Sequence, residues 1–162
     1  MTEPRIFVRA SETATCTAGR VLAAVGLGSC VVIALYDPDA RVAGLAHPLL
    51  PEPPAHPQHG SRGRYVTTAV PELLGEMERA GADRTRVFAR LAGGASMFET
   101  LFSINGGALG TRNAEAARAV LAGLAVPVRA EAVGGRAGRS VYLHGADGRL
   151  VVRSVGRPDV DL

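Results

Sequence analysis

The chain has 162 residues, 47% hydrophobic and 20% charged, so it is long and apolar enough to bury a core as one domain, residues 1–162. All 18 basic residues are arginine, the formal net charge is +3, and the arginines are scattered, which argues against a nucleic-acid surface. Two cysteines do not make a disulfide framework, and no apolar stretch is long enough for a membrane helix or signal peptide, so we expect a cytoplasmic protein without membrane insertion.

The first part of the chain has the pattern of strands joined by a tight hairpin. Residues 6–8 and 31–36 are rich in β-branched and apolar residues, which favour strands. Asp-Pro-Asp-Ala at 37–40 predicts a turn, because proline presets the φ angle of the second turn position. Residues 41–47 then return as the second strand, and the dense prolines and glycines of 48–63 predict a loop.

Helices and strands follow one another in the remainder. One helix is predicted at 67–80 with Thr68 as its N-cap, and a second one from the N-cap Asn113 to residue 124. Further strands are predicted at 86–91, 126–132, 140–143 and 150–155. Short strands with two main helices predict an α+β domain, with mixed or antiparallel sheets packed against the helices.

Cys30 has the sequence context of a nucleophile. Two glycines lie just before it in Gly-Leu-Gly-Ser at 26–29, which leaves space at the sulfur. Backbone N–H groups of Gly28 and Ser29 are candidates for binding a substrate oxygen there. A thiol also needs a neighbouring base or cation, because the thiolate is the reactive form.

The predicted hairpin supplies that base. If Asp37 pairs with Ala40, Cys30 faces His47 directly on one side of the sheet, with Cβ atoms about 4.5–5.5 Å apart. A two-residue change of register leaves the two side chains as diagonal neighbours, whereas a one-residue change puts them on opposite faces. The alternative, a buried cysteine that only packs, stays open on this pattern.

Other candidate sites are weaker. Cys16 lacks a glycine context and a paired histidine, and we interpret it as structural. His47, His56 and His59 fit no zinc spacing, and the glycine pairs match no nucleotide-binding pattern, so we expect neither a metal nor a cofactor.

Several motifs together resemble the CheD family of chemoreceptor glutamine deamidases. They are Gly-Leu-Gly-Ser-Cys-Val at 26–31, Ala-His-Pro-Leu-Leu-Pro at 46–51, Gly-Gly-Ala-Ser-Met-Phe at 93–98, Leu-Gly-Thr-Arg-Asn at 109–113, and Gly-Gly with Gly-Arg between 134 and 139. Each motif is short, but their order and spacing over most of the chain are specific. The family's cysteine corresponds to Cys30 and its histidine to His47.

The resemblance implies an enzyme that deamidates glutamines on the cytoplasmic helices of chemoreceptors, in some members with methylesterase activity. Cys30 would attack the side-chain amide, His47 would protonate the leaving ammonia, and water would hydrolyse the thioester. The family also binds a CheC-type phosphatase, which competes with receptors for one face, and Met97 and Phe98 are expected near it. Nothing in the sequence calls for more than a monomer.

The chain departs from the family at Ala24, where a threonine usually completes the catalytic site. Alanine has no group to hydrogen-bond His47, so we expect the ring to be oriented by Thr67, Ser29, a backbone carbonyl or water. Three hypotheses follow: an active receptor deamidase, a catalytically weakened binding module for CheC or receptors, and a cysteine hydrolase acting on another amide or ester.

Overall fold

A computed structural model describes residues 2–56, 60–96 and 108–162, and within them the chain forms ten strands, two α-helices and one short 3-10 helix. In chain order these are β1 (Arg5–Phe7), β2 (Thr13–Cys16), β3 (Val21–Leu27), β4 (Val31–Asp37), β5 (Val42–Ala46), the 3-10 helix (Arg62–Arg64), α1 (Val66–Arg79), β6 (Phe88–Gly93), α2 (Leu109–Gly123), β7 (Val128–Val133), β8 (Arg139–His144), β9 (Leu150–Ser154) and β10 (Val160–Asp161).

The strands of the described residues form two mixed sheets. The first sheet has the order β1-β3-β8-β9-β10 and the second sheet has the order β2-β5-β4-β6-β7. One pair in each sheet is parallel, β1 with β3 and β6 with β7, and the other pairs are antiparallel. The α+β class with mixed sheets and two main helices is therefore confirmed.

Two hydrophobic cores lie on opposite faces of the second sheet. The helix-side core joins β4 to α1 and α2, and includes Val31, Ile33, Leu35, Val70, Leu73, Leu74, Met77, Leu91, Ala114, Ala117 and Leu121. The inter-sheet core joins the two sheets, and includes Val8, Leu22, Ala24, Leu27, Val32, Ala34, Tyr36, Ala43, Leu45, Val141, Leu143, Leu150 and Val152. Strand β4 is thus buried on both faces, which explains its uninterrupted apolar sequence.

The hairpin register differs from the prediction by two residues. Strand β4 pairs with β5 through Asp37 opposite Val42, not through Asp37 opposite Ala40. The Asp37 carboxylate accepts hydrogen bonds from the amides of Asp39 and Ala40, at 3.0 and 3.2 Å, so these residues belong to the turn. Arg41, with a φ of 53°, completes a loop longer than the predicted one.

The predicted helix caps are also wrong. Helix α2 begins at Leu109 after Ala108, so Asn113 lies inside the helix and does not cap it. Helix α1 begins at Val66 without a side-chain cap, and the Thr68 hydroxyl instead donates to the carbonyls of Arg62 and Tyr65. Both errors have the same cause. A polar side chain near the start of a helix can donate to carbonyl groups outside the helix and does not have to cap the helix's own amides.

Asp37 anchors the far end of the hairpin from Cys30. Its carboxylate is fully buried and accepts hydrogen bonds from the Arg86 guanidinium, at 3.0 and 3.1 Å, and from the Asp83 amide at 2.8 Å. Burial raises the pKa of Asp37, but the hydrogen bonds from Arg86 and the backbone amides outweigh it and lower the pKa to about 2. The ionised form is therefore part of the folded structure.

We expect Asp37→Asn to lower the free energy of unfolding at neutral pH by roughly 2 kcal/mol or more, because it leaves Arg86 without its buried partner. The folded-state pKa lies below the ordinary value of 3.8, so the stabilisation is present above about pH 4 and is lost as pH falls toward 2. Urea unfolding at pH 7 and pH 3 measures both effects.

The control Asp39→Asn removes an exposed partner of Arg86 and should change the free energy of unfolding by less than about 0.5 kcal/mol. An equal loss for Asp37→Asn at both pH values would contradict the assignment.

Candidate active site

Cys30 and His47 lie on adjacent strands of the second sheet, at the same end of the hairpin. Cys30 immediately precedes β4 and His47 immediately follows β5. One further step of the observed register would put His47 opposite Val32, so Cys30 is its diagonal neighbour and the predicted direct pairing is wrong. Strand alternation directs both residues to the first sheet, and Cys30 packs against the inter-sheet core.

A backbone carbonyl orients the histidine ring. His47 is 6% exposed, and its Nδ1 lies 3.0 Å from the carbonyl oxygen of Val8. A carbonyl only accepts hydrogen bonds, so Nδ1 carries the proton and Nε2 of the neutral ring is left as the proton acceptor. The position of Val8 is fixed in turn, because its amide donates to the Ala23 carbonyl at 2.7 Å in continuation of β1.

Val8 thus provides a backbone carbonyl that orients His47, one of the alternatives expected in place of a side chain at Ala24. Ala24 is buried on β3 in the inter-sheet core, opposite Val141 of β8. Thr67 lies in the first turn of α1, where its amide donates to the Pro51 carbonyl. Over the described ranges no hydrogen bond joins Thr67 to His47, so its predicted role as the orienter gains no support.

The loop before Cys30 is held by its carbonyl groups. The Gly28 carbonyl accepts from the Ala95 amide at 2.9 Å, and the Cys30 carbonyl accepts from the Gly94 amide at 2.8 Å. Between them, the Ser29 carbonyl accepts from a side-chain amide of α2 at 3.0 Å. Three consecutive carbonyls are therefore bonded to groups outside the loop, which fixes the backbone around the thiol.

The glycine pair at the end of β6 makes this contact possible. Gly93 has a φ of +105° and Gly94 a φ of +62°, in the left-handed region that favours glycine. A Cβ atom on Gly93 would lie less than 3.0 Å from the Cys30 carbonyl oxygen. The pair is thus a backbone support for the loop that ends at Cys30.

Burial controls the reactivity of both thiols. Burial raises the pKa of Cys30, while the residue's own backbone N–H lowers it in part. A thiol with a raised pKa stays protonated near neutral pH, so it needs a base to remove its proton. Burial also raises the pKa of Cys16, to about 11, and its Sγ lies 3.7 Å from the Arg20 carbonyl. Cys16 is also the more buried of the two thiols.

Three contributors to the site were not predicted from the sequence. No sequence pattern could indicate Val8, because it contacts His47 through its backbone carbonyl and not through its side chain. Asn113 belongs to a motif that the family resemblance singled out, but we interpreted it as a helix cap. Arg139 donates to the carbonyls of Gly93 and Gly134 at 3.0 and 2.7 Å, and so ties the two glycine pairs together.

The remaining predicted positions give less information. Met97, Phe98 and His59 lie outside the described residues. Among residues 2–56, 60–96 and 108–162, no group of three or more His, Cys, Asp or Glu side chains is arranged to hold a metal ion. The helices of that same part of the chain include none long and apolar enough to cross a membrane.

Comparison with solved structures supports the fold. A crystal structure of a Neisseria meningitidis protein of the DUF152 family superimposes with a TM-score of 0.51 at 11% sequence identity. The match covers 82% of this chain and 64% of that one. Identity at this level indicates a shared fold only.

Sequence comparison gives the family. Residues 49–154 match the family model described as CheD chemotactic sensory transduction, so Cys30 and His47 both lie before the matched range. A probable chemoreceptor glutamine deamidase CheD 2 of Geobacter metallireducens is 42% identical over 94% of this chain and 95% of its own length. The chemoreceptor glutamine deamidase CheD of Thermotoga maritima is 40% identical over 84% of this chain and 83% of its own. With matches of this identity along most of its length, the chain belongs to the CheD family.

Proposed function

We propose that this chain is a chemoreceptor glutamine deamidase in which Cys30 is the nucleophile and His47 the general base and acid. The observation that carries the proposal is the hydrogen bond between His47 Nδ1 and the Val8 carbonyl. It fixes the tautomer in which Nε2 accepts a proton, on the face of the sheet where Cys30 packs. The names of the relatives supply the substrate class.

In the proposed reaction, Nε2 of His47 takes the proton of the Cys30 thiol as the sulfur attacks the amide carbon of a receptor glutamine. The new C–S bond gives a tetrahedral oxyanion, which collapses as the C–N bond breaks and His47 protonates the leaving ammonia. Water, deprotonated by His47, then attacks the thioester and releases glutamate and the thiol. Each cycle adds one negative charge to a receptor helix.

The raised pKa of Cys30 supports this division of roles. Because burial disfavours the free thiolate, proton transfer to His47 during the attack is the step that fits this environment. The same attack on a glutamyl methyl ester would release methanol, so we extend the proposal to receptor methylesterase activity at the same cysteine. A CheC-type phosphatase as partner, contact through Met97 and Phe98, and a monomeric state stay predictions.

The test is incubation of the protein with cytoplasmic fragments of chemoreceptors, followed by mass spectrometry of each glutamine. We expect wild type to convert selected glutamines to glutamate, a gain of about 1 Da each, and Cys30→Ala to convert none. Equal conversion by Cys30→Ala, or no conversion by wild type, would contradict the proposal. A stable complex with receptor or phosphatase but no conversion would instead support the binding-module hypothesis.

A further inference from the structure

One buried polar side chain of α2 contacts the backbone beside both proposed catalytic residues. Asn113 is 0% exposed, and its Nδ2 donates to the Ser29 carbonyl at 3.0 Å and to the Leu49 carbonyl at 3.1 Å. Ser29 directly precedes Cys30, and Leu49 lies two residues after His47. A single amide group therefore connects the two segments that carry the pair.

The orientation of this amide is fixed by its partners. Both Nδ2 hydrogens are used, and a flipped amide would set Oδ1 against two carbonyl oxygens. Oδ1 itself is buried and has no hydrogen-bond partner among the described residues. A single buried amide thus satisfies two backbone carbonyls that belong to separate segments of the chain.

The contact with Ser29 also sets the direction of the Cys30 amide. A trans peptide is planar, so its C=O and N–H point in opposite directions. The Ser29 carbonyl points toward α2, on the helix side of the second sheet, and the Cys30 N–H therefore points toward the inter-sheet side. The Cys30 side chain packs on that same side. The N–H of a nucleophile is well placed to stabilise the oxyanion that its own attack creates.

We propose that Asn113 is a positioning residue, which aims the Cys30 N–H at the developing oxyanion and fixes Cys30 relative to His47. The inference rests on the proposed function, because the oxyanion arises from attack on an amide or ester. It assigns Asn113 no direct contact with substrate. It also explains why one α2 side chain reaches both backbone segments.

The experiment compares Asn113→Asp and Asn113→Ser with wild type and with Ala117→Gly, a buried control on the same helix. Aspartate has the shape of asparagine and, when ionised, has no donor. Serine keeps one donor and adds no charge, and it serves in case the aspartate variant does not fold. On receptor fragments we expect Asn113→Asp to lower kcat about 10- to 100-fold and leave KM within about twofold, less than the loss of an entire oxyanion donor. Asn113→Ser should fall between Asn113→Asp and wild type, and Ala117→Gly should lose stability but keep its kcat.

A second readout does not depend on the substrate. The rate of Cys30 alkylation by iodoacetamide is measured as a function of pH, with the buried Cys16 as the reference thiol. In the Asn113 variants the pH profile of this rate should shift to higher pH, because the Cys30 N–H that lowers the thiol pKa is no longer held beside the sulfur. An unchanged kcat and an unchanged alkylation profile in folded variants would overturn the inference. If wild type does not deamidate receptors, the proposed function fails, and the alkylation profile alone then decides whether Asn113 positions Cys30.

Discussion

His47→Asn is expected to lower the rate of receptor deamidation about 10³- to 10⁴-fold. The asparagine side-chain amide is able to donate to the Val8 carbonyl as Nδ1 does, so the variant keeps the structural hydrogen bond and removes only the base. The partly buried Cys30 thiol, with its raised pKa, would then have no group to take its proton. The residual rate should climb with pH, because only the small thiolate fraction still reacts. Initial rates on receptor fragments between pH 6 and pH 9 measure both effects.

Ala24→Thr is the matched comparison for this variant. It introduces the threonine that the family resemblance implies at this position, while the Val8 carbonyl already contacts Nδ1 of His47. We therefore expect its rate to stay within about threefold of wild type, provided that the added hydroxyl is accommodated in the inter-sheet core. A large gain of rate in Ala24→Thr would show that the Val8 contact is insufficient. A His47→Asn variant with nearly full activity would exclude His47 as the base.

Gly93→Ala should be among the most damaging single substitutions in the chain. Alanine at a φ of +105° is strained, and its Cβ would lie less than 3.0 Å from the Cys30 carbonyl oxygen. The atoms nearest to this Cβ belong to the backbone of Cys30 and Val31, so they cannot rotate away. We therefore expect a loss of about 3 kcal/mol or more in the free energy of unfolding. The folded molecules should also deamidate receptors more slowly than wild type, because the added Cβ displaces the loop that carries Cys30. Urea unfolding and kcat per folded molecule are the two measurements.

Gly134→Ala separates the effect of backbone strain from the effect of the close contact with Cys30. Gly134 has a φ of +84°, but no described atom lies within 4 Å of the position of an added Cβ. It should therefore show the backbone strain alone, a loss of about 1–2 kcal/mol, and keep its kcat. If both variants lose the same stability and activity, the close approach of Gly93 to Cys30 has no importance of its own.

The layout of the strands and helices was predictable because hydrophobic periodicity is a local property. The apolar run of β4 and the stripe of α1 each follow from burial against a neighbouring layer. The hairpin register was not predictable, because the Asp37 side chain binds the turn amides and moves the closing pair to Val42. The error of two residues kept Cys30 and His47 on one face, whereas an error of one would have separated them.

The supports of the site depend on contacts between distant parts of the chain. Val8 lies 39 residues from His47, and Asn113 lies 84 residues from Ser29. No local pattern indicates that a given backbone carbonyl will meet a given ring or amide. Spacing and the family motifs therefore predict Cys30 and His47 as the candidate pair, while the groups that orient His47 and hold the Cys30 loop required the packed structure.

The hydrogen bond from His47 to Val8 has a consequence for how this site tolerates change. The acceptor belongs to the main chain, so every amino acid at position 8 provides it as long as β1 continues along β3. Residue 24 then needs no hydrogen-bonding side chain to orient His47, and a small packing residue such as Ala24 is sufficient there. Substitutions at position 24 should therefore alter the packing of the inter-sheet core more than the orientation of the His47 ring.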